Sequence, residues 1–166
     1  HSTWHLAICV RFNIVGLAIV GPNQEVKEVR RRCLYHAKHP SEVSAFAAHA
    51  IRDLLNYYAL AAIVAEPGLN LLPSESLRDT KVMHLTLAHA KEILLGPDND
   101  TRHEALLYNL VKDHPQLRNI ATILPATGKV AQSERWRVVP LLAVAIGLAS
   151  QAVDLAGTIP CEISNS

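Results

Sequence analysis

The chain has 166 residues, 49% of them hydrophobic and 5% aromatic, which suits one domain with a full core built from Ala, Val, Ile and Leu. A net charge of +1 excludes a global electrostatic field for nucleic acid, so any basic surface has to be local. The longest apolar run, residues 138–149, is too short to span a bilayer, so no membrane association is expected.

Residues 5–12 and 14–20 read as a hairpin of two apolar strands with Asn13 as the only turn-type residue between them. A turn at residues 21–24 leads to a third, more polar strand over 26–35 that carries Arg30, Arg31 and Arg32. Alternation places Arg30 and Arg32 on one face and Arg31 with Cys33 on the other, and the charge marks a sheet edge. After a loop, Ser41 is the expected N-cap of an amphipathic helix. Its apolar series Val43, Phe46, Ala47, Ala50, Ile51, Leu54, Leu55 and Tyr58 follows the 3.6-residue period.

The centre of the chain is LAAIVAEPG, residues 60–68. A wholly apolar strand of this length is buried on both faces, and it ends on one carboxylate, Glu66. A helix is expected from residues 74–79 to about Leu95. Its surplus of apolar positions, Val82, Leu85 and Leu87 among them, suggests a homodimer or a partner subunit. A short helix over 101–112, a fifth strand over 120–124 and a last helix from Pro140 to Gly157 follow. Domain boundaries are therefore 1–157 for one domain and 158–166 for a loose tail.

Cys9, Cys33 and Cys161 lack CxxC spacing, which favours a reducing, cytoplasmic setting. The mixed character of the first twelve residues does not fit a signal peptide. The chain begins at His1 and its single methionine is Met83, so a processed chain or an excised domain is expected, with a neighbouring domain sharing the function.

The order hairpin, strand, helix, strand resembles the opening of the RNase H-like superfamily, and within it the RuvC-type Holliday-junction resolvases. The resemblance is carried by Leu6-Ala7-Ile8-Cys9-Val10-Arg11 leading to Gly16-Leu17-Ala18-Ile19-Val20, by Glu66 at the end of the fourth strand, and by Leu142-Ala143-Val144-Ala145-Ile146 in the final helix. It implies an α/β fold with a five-stranded mixed sheet in the order 3-2-1-4-5, flanked by helices. It also implies a catalytic centre of several carboxylates around two divalent ions.

The chain departs from that pattern where the chemistry lies. Cys9 stands at the first-strand aspartate position, Arg137 and Pro140 stand where acids precede the last helix, and Glu66 alone keeps its carboxylate. Hard cations such as Mg²⁺ need oxygen ligands, so no cofactor is expected outside a nuclease reading. Glu66 is open to three roles: a remaining metal ligand, a general base, or a carboxylate paired with Arg11 or Arg137. Cys9 as a nucleophile would need a base and an electropositive setting, and its apolar strand favours a structural thiol.

The nine histidines show no HExxH, and His84 and His89 are five apart, which does not suit a zinc helix. No GxGxxG, Walker A or GxSxG motif occurs, which excludes the nucleotide-binding and hydrolase classes that depend on those loops. The one basic cluster, Arg30, Arg31, Arg32 and Lys38 with Lys27, suits phosphate contacts or a solvated edge, and no aromatic stands between Lys27 and Arg32 to suggest base stacking.

Three functions follow. The first is a non-catalytic resolvase-like domain that binds nucleic acid or protein in a larger complex. The second is an active metal-dependent nuclease drawing ligands from Asp79, Asp98, Asp100 or Asp154. The third is a structural homodimerisation domain.

Overall fold

The computed structural model describes residues 3–11, 13–34, 37–69, 80–96, 103–117 and 135–164, with side chains at 103–104, 135–137 and 155–164 outside the description. Trp4–Arg11 (β1) and Ile14–Val20 (β2) pair antiparallel, with Arg11 opposite Ile14. Asn13 turns the chain at φ 58°, the left-handed region that asparagine tolerates better than most residues. A 3₁₀ turn at Pro22–Gln24 leads to Val26–Cys33 (β3), which pairs on β2 and closes that side of the sheet.

Pro40–Tyr57 (α1) covers one face. It opens one residue before the expected cap: Pro40 takes the first helical position, where its fixed φ suits the helix, and His39 is the N-cap without a side-chain bond. Glu42 compensates, its carboxylate accepting from the Lys38 backbone N–H at 2.8 Å. The apolar series then buries Val43, Ala47, Ile51 and Leu54 against Leu6, Ile8, Val15, Leu17, Ile19 and Ile63.

Leu60–Ala65 (β4) runs parallel to β1 and, Ala61 apart, is buried throughout. Lys81–His84 (β5) runs parallel to β4 and completes a five-stranded mixed sheet in the order β3-β2-β1-β4-β5. The order is the expected one, but the fifth strand is not the expected segment. Residues 81–84 form a strand instead of entering a helix, and 120–124, read as the fifth strand, lie outside the described residues.

Leu87–Leu95 (α2) starts only after Thr86, whose hydroxyl accepts from the His89 N–H at 3.1 Å as an N-cap. This rearrangement removes the reason for a dimer. Val82 belongs to the sheet and packs toward α1, while Leu85 and Leu87 are 6% and 5% exposed inside the same chain.

His103–Asp113 (α3) is followed by a 3₁₀ turn at Pro115–Leu117. Arg135–Ser164 (α4) starts five residues earlier than expected and continues past Gly157. All residues from Val138 to Ser150 are buried, because α4 lies between the second face of the sheet and helices α2 and α3. Two glycines set that close approach: a Cβ on Gly147 would stand 2.7 Å from Val20 Cγ2, and one on Gly16 would stand 2.7 Å from the Val139 carbonyl oxygen.

Candidate functional site

β1 and β4 are parallel with a constant pairing of His5 with Ala62, Leu6 with Ile63 and Ile8 with Ala65. Continued by one residue, that register sets Cys9 beside Glu66 at the carboxyl ends of the two central strands. The side chains meet: the Cys9 thiol donates to Glu66 Oε1 at 3.7 Å.

Arg11, two residues further along β1, decides the chemistry. Its guanidinium holds Glu66 through both nitrogens, Nη1 to Oε1 at 2.5 Å and Nη2 to Oε2 at 3.0 Å. Leu87, the first residue of α2, adds its backbone N–H to Oε2 at 3.3 Å. The carboxylate thus accepts from an arginine fork, a thiol and a helix N-terminus, an arrangement that fixes it in place and in charge.

Burial would push the Glu66 carboxyl up, but the Arg11 hydrogen bonds and charge, with the Leu87 N–H, outweigh it and hold the group below the usual carboxylate range. Glu66 in turn holds Arg11 above its ordinary value. Burial pushes the Cys9 thiol up to about 12, against the Arg11 charge, which favours the protonated thiol over the reactive thiolate.

Sequence reasoning brought Cys9 and Glu66 together and gave Arg11 as one of two partners for Glu66. The side chain of the other, Arg137, is outside the described residues. Among the described residues no three His, Cys, Asp or Glu side chains gather as metal ligands. A cleft of about 320 Å³ opens on the α1 side of the pair, with Val10, Val43 and Leu69 as apolar wall and Asn13 and Ser44 as polar groups.

No family profile and no curated protein matches the chain. Solved structures do. The Thermus thermophilus RuvC structure aligns with a TM-score of 0.60 at 12% identity, covering 93% of this chain and 97% of that one. T. thermophilus RuvC in complex with Holliday junction substrate aligns at 0.50 and 10% identity over the same shares. The chain has a RuvC-like, RNase H-like fold.

On this fold the basic residues of β3 divide as alternation requires. Arg30 and Arg32 stand opposite Leu17 and Val15, on the α1 face, and Arg31 stands opposite Gly16, on the α4 face. Arg30 is paired with Glu28; Lys38 and Arg31 are exposed. The sequence has no aromatic between Lys27 and Arg32, yet the fold supplies rings from other elements. Lys27 Nζ lies 5.0 Å from the Trp4 ring centre and 5.6 Å from that of Tyr58, and the Arg32 guanidinium lies 5.7 Å from that of Phe46.

At the opposite end of β1, buried His5 contacts Ser150 Oγ through Nδ1 at 2.9 Å and faces Asp154 Oδ2 through Nε2 at 3.6 Å. Lys81 Nζ holds Asp154 at 2.8 Å. Ser150 is fully buried and its hydroxyl donates to the Gly147 carbonyl at 2.7 Å, so it is not poised as a nucleophile. This group ties α4 to β1 and β5.

Proposed function

We propose that this chain is a non-cleaving, resolvase-like domain that binds nucleic acid as a module of a larger complex. The observation that carries the reading is the two-pronged Arg11–Glu66 pair. A two-metal nuclease centre needs several carboxylates free to clamp the ions that activate water and stabilise the leaving oxygen. Among the described residues the one carboxylate at these strand ends, Glu66, is neutralised by a guanidinium, and its neighbour Cys9 offers a neutral, soft sulfur where a hard cation needs charged oxygen. The described donor set therefore does not fit Mg²⁺ or Mn²⁺.

The spare acid Asp154 supports no second site there, since it lies beside His5 at the amino end of β1 and is engaged by Lys81. Asp79, Asp98 and Asp100 lie outside the described residues.

Binding is supported by the fold's likeness to a RuvC solved with a Holliday junction and by the exposed cations Arg30, Arg31, Arg32 and Lys38. These are the proposed phosphate contacts. The test is a mobility shift with four-way junction, duplex and RNA–DNA hybrid in Mg²⁺, each band then run on a denaturing gel. The reading expects shifted, intact strands. Unshifted substrates would refute binding, and cut strands would refute the loss of catalysis.

A further inference from the structure

We infer that the outer edge of the sheet on the α1 side is a stacking surface for single-stranded nucleic acid, formed by Trp4, Tyr58 and Phe46 with Lys27 and Arg32. The inference rests on the nucleic-acid reading above and names the surface and the form of the ligand.

A register shift in β3 carries the argument first. Ile19 pairs with Glu28 and Val20 with Val26, which leaves Lys27 as the extra, bulged residue. Bulges re-aim a side chain, and this one sets the Lys27 ammonium against both Trp4 and Tyr58. Glu28 then orients its neighbours: its Oε2 accepts from the Tyr58 hydroxyl at 2.6 Å, and its Oε1 pairs with Arg30. Further along the same face Arg32 lies over Phe46. Five residue steps separate Lys27 from Arg32, about 17 Å of strand. Three cations, Lys27, Arg30 and Arg32, face one carboxylate, Glu28, along this stretch.

Alternating cations and ring faces along a groove or edge is the arrangement that binds single strands without base reading: phosphates meet the cations and bases stack on the rings. Trp4, Tyr58 and Phe46 are half-buried, each with one side packed on the α1-side core. The cations Lys27 and Arg32 over them are exposed and held weakly, so each is placed to exchange a ring for a phosphate while a base takes the ring. A duplex keeps its bases stacked inside and has none to offer. The strip also leads to the cleft, since Arg32 pairs with Val15, Val15 with Val10, and Val10 lines the cleft wall.

The test uses the full chain with Trp136→Phe, which leaves Trp4 as the single tryptophan of the two. Trp4 fluorescence and the anisotropy of an end-labelled 12-nucleotide oligothymidine are followed together. The oligomer is expected to quench Trp4, and Lys27→Ala with Arg32→Ala to weaken binding at least tenfold. The double variant should also lower the slope of log K against log salt by about 1.4, from two lost phosphate contacts at 0.7 each. Tyr58→Leu should weaken binding with the slope unchanged, and Lys27→Arg should restore most of the affinity. Circular dichroism melts confirm that each variant is folded.

Binding that leaves Trp4 unquenched and ignores the double variant would overturn this surface while the proposed function stands. Failure to bind oligomer, duplex and junction alike would overturn both.

Discussion

Replacing Arg11 by Met keeps the aliphatic stem and removes the fork that holds Glu66. The Glu66 side chain is 22% exposed and that of Arg11 34%, which places the pair between two limits. An exposed pair contributes about 0–1 kcal/mol, and breaking a fully buried one costs about 3–5 kcal/mol because a charge is left unpaired. Glu66 would keep the Leu87 N–H, so a loss of about 2 kcal/mol is expected, equivalent to roughly 4–8 °C in Tm for a chain of this size.

The pH dependence is the sharper readout. In the wild type, Glu66 titrates below its ordinary value of 4.5. Its contribution is therefore present above that value and is lost as pH falls through the lower folded one. In the variant, burial is the largest influence and Arg11 no longer opposes it, so the carboxyl rises above 4.5. Protonation then favours the folded state, and the variant gains stability as pH falls from neutral through the raised value. Urea melts at intervals between pH 7 and pH 5 measure this. A variant as stable as the wild type with the same pH profile would refute the claim that Arg11 holds Glu66.

Three further outcomes follow from the packing. Gly16→Ala should cost about 1–3 kcal/mol, the range for overpacking, because the obstacle is α4 backbone at Val139 and Pro140; an unchanged urea midpoint would contradict the close approach. Cys9 should react with a thiol reagent only on unfolding, given 1% exposure and a thiol pushed up to about 12 by burial; prompt native-state labelling at Cys9 in a Cys33→Ser, Cys161→Ser background would contradict it. His5 should titrate below 6.5, since burial lowers it more than Asp154 raises it, so acidification through and below 6.5 loses stability. An NMR titration of His5 with a midpoint at or above 6.5 would overturn that account.

Much of the fold was legible because its signals are local. The strand Ile14–Val20 reads to the residue, being continuously apolar after an asparagine that turns the chain. The strand Lys81–His84 did not read, because Val82, Met83, Leu85 and Leu87 continue a helix-like apolar series. Four residues become a strand only through pairing with Ala62–Ala65, which is tertiary information. Thr86 was the available signal, a capping residue that separates strand from helix.

At the site, Cys9 and Glu66 were placed by their strand ends. The hold of Arg11 on Glu66 was not, since it depends on the register that carries β1 two residues past Cys9. The rings beside Lys27 and Arg32 come from β1, α1 and the residue after α1, so reading along β3 alone misses them.

Under the proposed function, Arg11 occupies the carboxylate that a catalytic metal would need. Titration of the wild-type chain with Mn²⁺, followed by the loss of the free-ion electron paramagnetic resonance signal, tests it most directly beside Glu66→Gln. The account predicts that neither protein depletes the signal at millimolar Mn²⁺. Depletion by the wild type that disappears in Glu66→Gln would contradict it.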